Sequence, residues 1–152
     1  MQISGEITLP ASLPAVWQAL HNVDVLRATV PGCQELTQTA PDSYIGSATV
    51  GIAVIKGTYK GTLKLVEQRE PEFARIAVQA KSGHAEIRGE GELALEAAGD
   101  DTLLRYTGDA RISGPLAAVG ARLLPSASKH LTEEFFRNIA DYLATSKTGS
   151  AS

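Results

Sequence analysis

The sequence is poor in the residues that most soluble chemistry uses. Its 152 residues include one cysteine (Cys33), one tryptophan (Trp17) and three histidines. A lone cysteine excludes an intrachain disulfide and fits a reducing compartment. His21, His84 and His130 stand far apart, without the close spacing of metal ligands, so no metal site is expected. Neither charge sign dominates: 14 Lys and Arg against 17 Asp and Glu leave a net charge of −3. That balance excludes the basic footprint of a nucleic-acid binder. No stretch approaches the roughly 20 apolar residues of a membrane-spanning helix. The start, Met1 to Glu6, lacks the positive and apolar regions of a secretory leader. The expectation is a cytoplasmic protein, with membrane contact at most peripheral, at the inner face of the cell membrane.

What is present is apolar periodicity, and it changes along the chain. Gln2 to Leu9 alternates and predicts a strand. A helix follows Pro10, with Ser12 as its cap, Pro14 in its first turn, and Val16, Trp17 and Leu20 on its apolar side. A second short helix is predicted over Val23 to Thr29, ended by the turn Val30-Pro31-Gly32-Cys33. From Cys33 to Ile112 the period is two. Ala48 to Val54, Tyr59 to Leu65, Ile76 to Ala80, Ile87 to Leu95 and Leu104 to Ile112 each alternate apolar with polar, as antiparallel strands with one dry face do. After Gly114-Pro115 the spacing returns to three and four, from Leu116 through Leu123, Leu131 and Phe135 to Leu143. Pro125 is expected to kink or split this helix, and the segment Gly114 to Pro125 is expected to gate whatever lies beneath it.

A strand, a helix pair, a run of strands and a long helix make an α+β chain. Hairpin-linked strands leave one bare apolar face, and only the last helix is long enough to cover it. The predicted fold is a helix-grip: a curved antiparallel sheet wrapped round a long C-terminal helix. One domain is expected over residues 1–145, with a disordered polar tail over 146–152.

Candidate chemistry is sparse. Cys33 reads as a small packing residue rather than a nucleophile. Glu86, Glu90 and Glu92 share a strand phase, but it is the wet one, with Arg88 among them. Asp109 and Arg111, with Arg105 on the same strand, read the same way. Gly89-Glu90-Gly91 lies within an alternating strand and opens no helix, so it is not a phosphate loop. The glycines are more informative. Gly61, Gly89, Gly91 and Gly108 fall on the apolar phase, where a core normally places large side chains. Such glycines mark a bend, a close backbone approach, or volume left for a ligand.

Together these residues resemble a known pattern. Val16-Trp17, Leu20, Leu26 and Val30-Pro31-Gly32-Cys33 look like the helix-pair-to-strand signature of the carbon monoxide dehydrogenase G-subunit family. Gly114-Pro115 through Leu123-Leu124, followed by Phe135-Phe136, resembles that family's last helix. Lys56-Gly57-Thr58-Tyr59-Lys60-Gly61 and Tyr106 also match in type and order. The resemblance covers about Met1 to Ala144 and implies a START-like, Bet v 1-like helix-grip domain of the SRPBCC superfamily. It implies a non-enzymatic accessory of an aerobic molybdenum carbon monoxide dehydrogenase-type system. The implied ligand is an apolar molecule, menaquinone or another isoprenoid quinone, with no covalent cofactor. The implied partners are the dehydrogenase subunits and the membrane quinone pool. Members often carry a flexible C-terminal extension ending in a membrane-binding segment, and none is read in this sequence before Ser152.

Strand phase and helix face select the expected ligand-lining residues: Ile52, Tyr59, Leu63, Val78, Leu104, Tyr106, Leu116, Val119, Leu123, Leu131 and Phe135. A Tyr59 or Tyr106 hydroxyl is a candidate donor to a quinone carbonyl. Two other readings stand beside this one. The first is an adaptor or assembly factor that recruits the dehydrogenase without carrying a ligand. The second is an enzyme acting inside the cavity, for which the dry face offers only tyrosines as acid or base.

Overall fold

A computed structural model describes residues 2–51, 56–83, 85–115 and 117–150, the last five of these in backbone only. In chain order the elements are β1 (Gln2–Leu9), α1 (Leu13–His21), α2 (Val23–Thr29), β2 (Cys33–Ala40) and β3 (Ser43–Val50). There follow β4 (Gly57–Arg69), β5 (Phe73–Lys81), β6 (Glu86–Ala98), β7 (Asp101–Ser113) and α3 (Ala117–Ser150). The strands form one curved seven-stranded sheet in the order β1-β7-β6-β5-β4-β3-β2, antiparallel throughout. The α1–α2 pair carries the chain from one sheet edge to the other. From β2 onward each strand turns back on its predecessor, until β7 pairs with β1.

Local chemistry explains the helix pair. Asn22 starts α2, its Oδ1 accepting from the backbone N–H of Asp24 at 2.9 Å and of Val25 at 3.3 Å. Such a cap satisfies donors that the first helical turn leaves orphaned. Ser12 occupies the equivalent place before α1, but its side chain makes no capping hydrogen bond. The expected cap is therefore absent there, and Pro14 in the first turn reduces the number of orphan donors. After α2 the chain turns at Gly32, whose φ is +68° and whose missing Cβ leaves room for the Thr49 carbonyl. Any other residue at this position would be strained in φ and would collide with β3.

The core lies at one end of the grip. Leu9, Leu95 and Leu104 on the sheet meet Val16 and Trp17 of α1, Val25 of α2, and Phe136, Ile139 and Leu143 of α3. The last three recur at helical spacing and form a single stripe. Leu104 and Ile139 have no exposed surface, and burial of such side chains stabilises by about 1.5–3 kcal/mol each. Polar ties close the same end. Asn138 donates to the Thr29 carbonyl at 2.9 Å, and Thr102 donates to the Ala11 carbonyl at 2.8 Å.

Two expectations change here. First, α3 runs unbroken past Pro125, so the proline does not split it. Pro125 lies on the exposed side of the helix, where the Ala121 carbonyl that it cannot serve has access to water. The helix is assigned through Ser150, so residues 146–150 lie on its backbone. Second, His21, expected like the other two histidines to be solvated at the surface, is half-buried and partnered. Its ring nitrogens lie 2.7 Å from the Trp17 carbonyl and 2.7 Å from Gln68 Oε1, and its ring packs on Trp17 at 4.4 Å. His130 is exposed on α3, 3.7 Å from Glu134, and His84 lies outside the described residues.

Candidate functional site

The inner face of the sheet is best read in rows, because residues paired across antiparallel strands share a face. One row runs Leu65, Ile76, Gly91, Gly108, Ile3 across β4, β5, β6, β7 and β1. The adjoining row runs Tyr44, Leu63, Val78, Gly89, Ala110 from β3 to β7. Both rows carry large apolar side chains as far as β5 and lose them at the same place, over β6 and β7, with Ile3 of β1 bounding the first row on its far side. The result is a side-chain-poor trough about 5 Å by 7 Å, two strands wide and two inward residues long.

The four glycines on the dry phase turn out to have different causes. At Gly61 an added Cβ would strike the Gln79 carbonyl and lie 3.0 Å from the Cα and Cβ of Ala80. That glycine is a packing requirement, which corrects its reading as ligand volume. A Cβ at Gly89 would lie 3.4 Å from the Asp109 carbonyl and 3.8 Å from the Ala110 Cβ. At Gly91 its nearest neighbours would be the Thr107 carbonyl at 3.3 Å and Ile76 at 3.6 Å; at Gly108 they would be the Glu90 carbonyl and Ile3, each at 3.4 Å. These contacts are near ordinary and come from the sheet itself. None of the three has a positive φ. Neither backbone conformation nor crowding requires glycine at Gly89, Gly91 or Gly108.

The two rows contain one polar atom, the Tyr44 hydroxyl, which donates to the His21 carbonyl at 3.3 Å. They supply no carboxylate, amine, imidazole or thiol. Cys33 is half-buried at the start of β2, and burial pushes its thiol pKa up against the opposing effect of Arg27. A thiol held protonated is a poor nucleophile. The arrangement is suited to holding apolar surface and ill suited to moving protons.

The expected lining residues divide into groups. Leu63 and Val78 are half-buried and sit directly in the row that contains Gly89. Tyr59 is buried two inward positions further along β4 from Leu63. Leu104 is wholly buried in the core, and Tyr106 stacks on Phe136 at 5.0 Å with Phe135 alongside. The Tyr106 hydroxyl points over Gly5 of β1, away from the trough. Leu123 and Leu131 are half-buried on α3, whereas Val119 is 51% exposed. Ile52 and Leu116 lie outside the described residues. Sequence reasoning passed over Tyr44, Ile3, Ile76 and Ala110. Extending the alternation of β3 back to Tyr44 would have found the first of these.

Other concavities open on the outer face. One of about 480 Å³ is bordered by Lys64, Gln79, Arg88, Glu90 and Arg111. Another of about 680 Å³ is bordered by Arg75, Glu92, Thr107 and Asp109. Both are charged, unlike the trough. Among the described residues no group of three or more His, Cys, Asp or Glu side chains is placed to hold a metal ion. No helix among them is long and apolar enough to cross a membrane.

The family model of the carbon monoxide dehydrogenase G subunit (CoxG) matches residues 5–144. The chain belongs to the CoxG family. A conserved protein from Geobacillus kaustophilus superposes with a TM-score of 0.89 at 28% identity, covering 96% of this chain and 97% of that one. A START superfamily protein from Mycobacterium smegmatis gives a TM-score of 0.74 at 12% identity, over 95% and 97% of the two chains. A Thermus thermophilus protein gives 0.72 at 13%, over 96% and 99%. No curated protein sequence matches. The helix-grip predicted from alternation and helix length, START-like as the family resemblance implied, is the fold of this CoxG-family chain.

Proposed function

We propose that this CoxG-family protein is a non-enzymatic accessory that holds an apolar molecule between the inner face of its sheet and α3. The observation that carries the reading is the trio Gly89, Gly91 and Gly108. A glycine within a strand costs roughly 0.5–1 kcal/mol relative to alanine. Nothing in the packing or the backbone at these three positions requires it. A guest lying over β6 and β7 uses the volume that a side chain would fill, and its burial offsets that cost.

The proposed guest is an isoprenoid quinone such as menaquinone, and the proposed partner is a molybdenum dehydrogenase of the carbon monoxide type. Family membership supports the partner, and the apolar rows support the guest. A dehydrogenase that delivers electrons to a membrane needs an apolar acceptor, and a carrier that shields the tail would link enzyme and quinone pool. The START-like fold, generally a non-catalytic binding fold, agrees with the absence of acid and base groups from the two rows. The test is organic extraction of the purified protein, followed by titration with menaquinone at micromolar concentration. The proposal expects a copurifying apolar molecule and saturable quenching of Trp17. An empty protein that menaquinone leaves unquenched overturns it.

A further inference from the structure

The outer face of the sheet carries like charges directly opposite one another. Arg88 of β6 is in register with Arg111 of β7, and one inward-outward repeat along, Glu90 of β6 is in register with Asp109 of β7. Arg88 and Arg111 side chains are 71% and 85% exposed. Like charges opposed across a strand pair destabilise it, yet exchanging Arg88 and Glu90 would create two opposite-charge pairs on the same backbone. Pairing within the chain offsets this unevenly. Arg88 Nε is 2.8 Å from Glu86, and Asp109 lies 3.9 Å from Arg111 and has a further hydrogen-bond partner, while Glu90 makes no ion pair among the described residues and lies only in the wider field of Arg75. The neighbouring charges are matched inside the chain, with Arg75 on Glu92 at 2.9 Å and Lys81 on Glu86 at 3.8 Å.

A positive stripe beside a negative stripe of equal length is complementary to itself. A two-fold axis lying across the strands, midway between the stripes, places each stripe on its opposite in a second copy. Arg88 then faces the second copy's Glu90, and Arg111 faces its Asp109, with the reciprocal contacts repeated. That is the isologous pattern of a closed dimer. The concavity of about 480 Å³ between Lys64 and Arg111 lies on this face and gives such an interface room for bridging water. We propose that two copies of this chain associate through the outer faces of their sheets, by these two stripes. The trough is on the other face and stays free, so the inference is independent of the ligand.

The experiment is sedimentation velocity on the wild type, Arg88→Glu, Glu90→Arg and an equimolar mixture of the two variants. The wild type should dimerise at low salt and dissociate at about 1 M salt, where charges are screened beyond about 3 Å. Each variant alone sets like charges against each other twice in the dimer and should associate about tenfold or more weakly. Glu90→Arg relieves its opposition to Asp109 and breaks no ion pair among the described residues, so its melting temperature should not fall; Arg88→Glu relieves its opposition to Arg111 but gives up the Glu86 contact, so it should melt no higher than the wild type. The mixture should restore the dimer, because positions 88 and 90 of β6 are both acidic in one variant and both basic in the other, while Arg111 and Asp109 of β7 still face each other across the axis. A wild type that stays monomeric at low salt, or a mixture that stays as monomeric as its components, overturns the proposal.

Discussion

The Tyr106 hydroxyl lies across Gly5 of the neighbouring strand, in the space that a Cβ there would occupy. The two residues are in register on β7 and β1, and the same ring stacks on Phe136 of α3 at 5.0 Å. One tyrosine therefore joins the edge strand, its neighbour and the long helix, and glycine at position 5 is what lets it lie flat. Gly5→Ala should destabilise by about 1–3 kcal/mol, as overpacking does. Paired with Tyr106→Leu, which removes the obstructing ring, its added cost should be smaller than in the wild type. Urea unfolding of the four species checks this, and strict additivity would contradict the contact.

Burial raises the pKa of Tyr44 and of Tyr106 above the ordinary value of 10.0, and for Tyr106 the nearby Glu133 adds to the shift. The folded state then holds these protons more tightly than the unfolded chain. Their contribution is complete below pH 10 and is lost as pH rises through the folded values. Unfolding free energy should fall with pH above about 10. In a spectrophotometric phenolate titration, Tyr44→Phe and Tyr106→Phe should each remove absorbance from the late-ionising part.

Pro125 leaves the Ala121 carbonyl without its helical donor inside an unbroken α3. Pro125→Ala restores that donor at an exposed position, where little packing is lost. It should stabilise the protein by about 1–3 kcal/mol. It should also slow hydrogen exchange between residues 117 and 125 more than between residues 133 and 143. Equal slowing in both halves would show that the proline does not loosen the helix locally.

Much of this fold is legible in the sequence because it rests on periodicity. The bounds of β1 and α2, the turn at Pro31-Gly32, and the dry phase of β4 to β7 all follow from spacing and turn chemistry. The origin of each glycine does not. Gly61 and Gly91 occupy the same phase of similar strands, but only Gly61 faces a backbone too close for a Cβ, and that distance depends on how neighbouring strands coil. The roles of Leu104 and Leu63 diverge for a similar reason. Both are inward leucines, but α1 and α3 cover one end of the sheet and leave the rows at Gly89 and Gly91 side-chain-poor. Asn22 is legible as a cap, since Asn before a helix with Asp24 in its first turn is a known signal. The setting of His21 is not, because Gln68, its partner, is 47 residues away.

The trough over Gly89, Gly91 and Gly108 is where an apolar guest is proposed to lie. The most direct measurement is menaquinone titration of the wild type against Gly91→Leu, followed by quenching of Trp17, with melting temperatures recorded for both. Gly91→Leu should remain folded, because its Cβ fits with at most a small adjustment at the Thr107 carbonyl. It should lose menaquinone binding at least tenfold, about 1.4 kcal/mol. A folded Gly91→Leu that binds menaquinone as tightly as the wild type would contradict a guest in the trough.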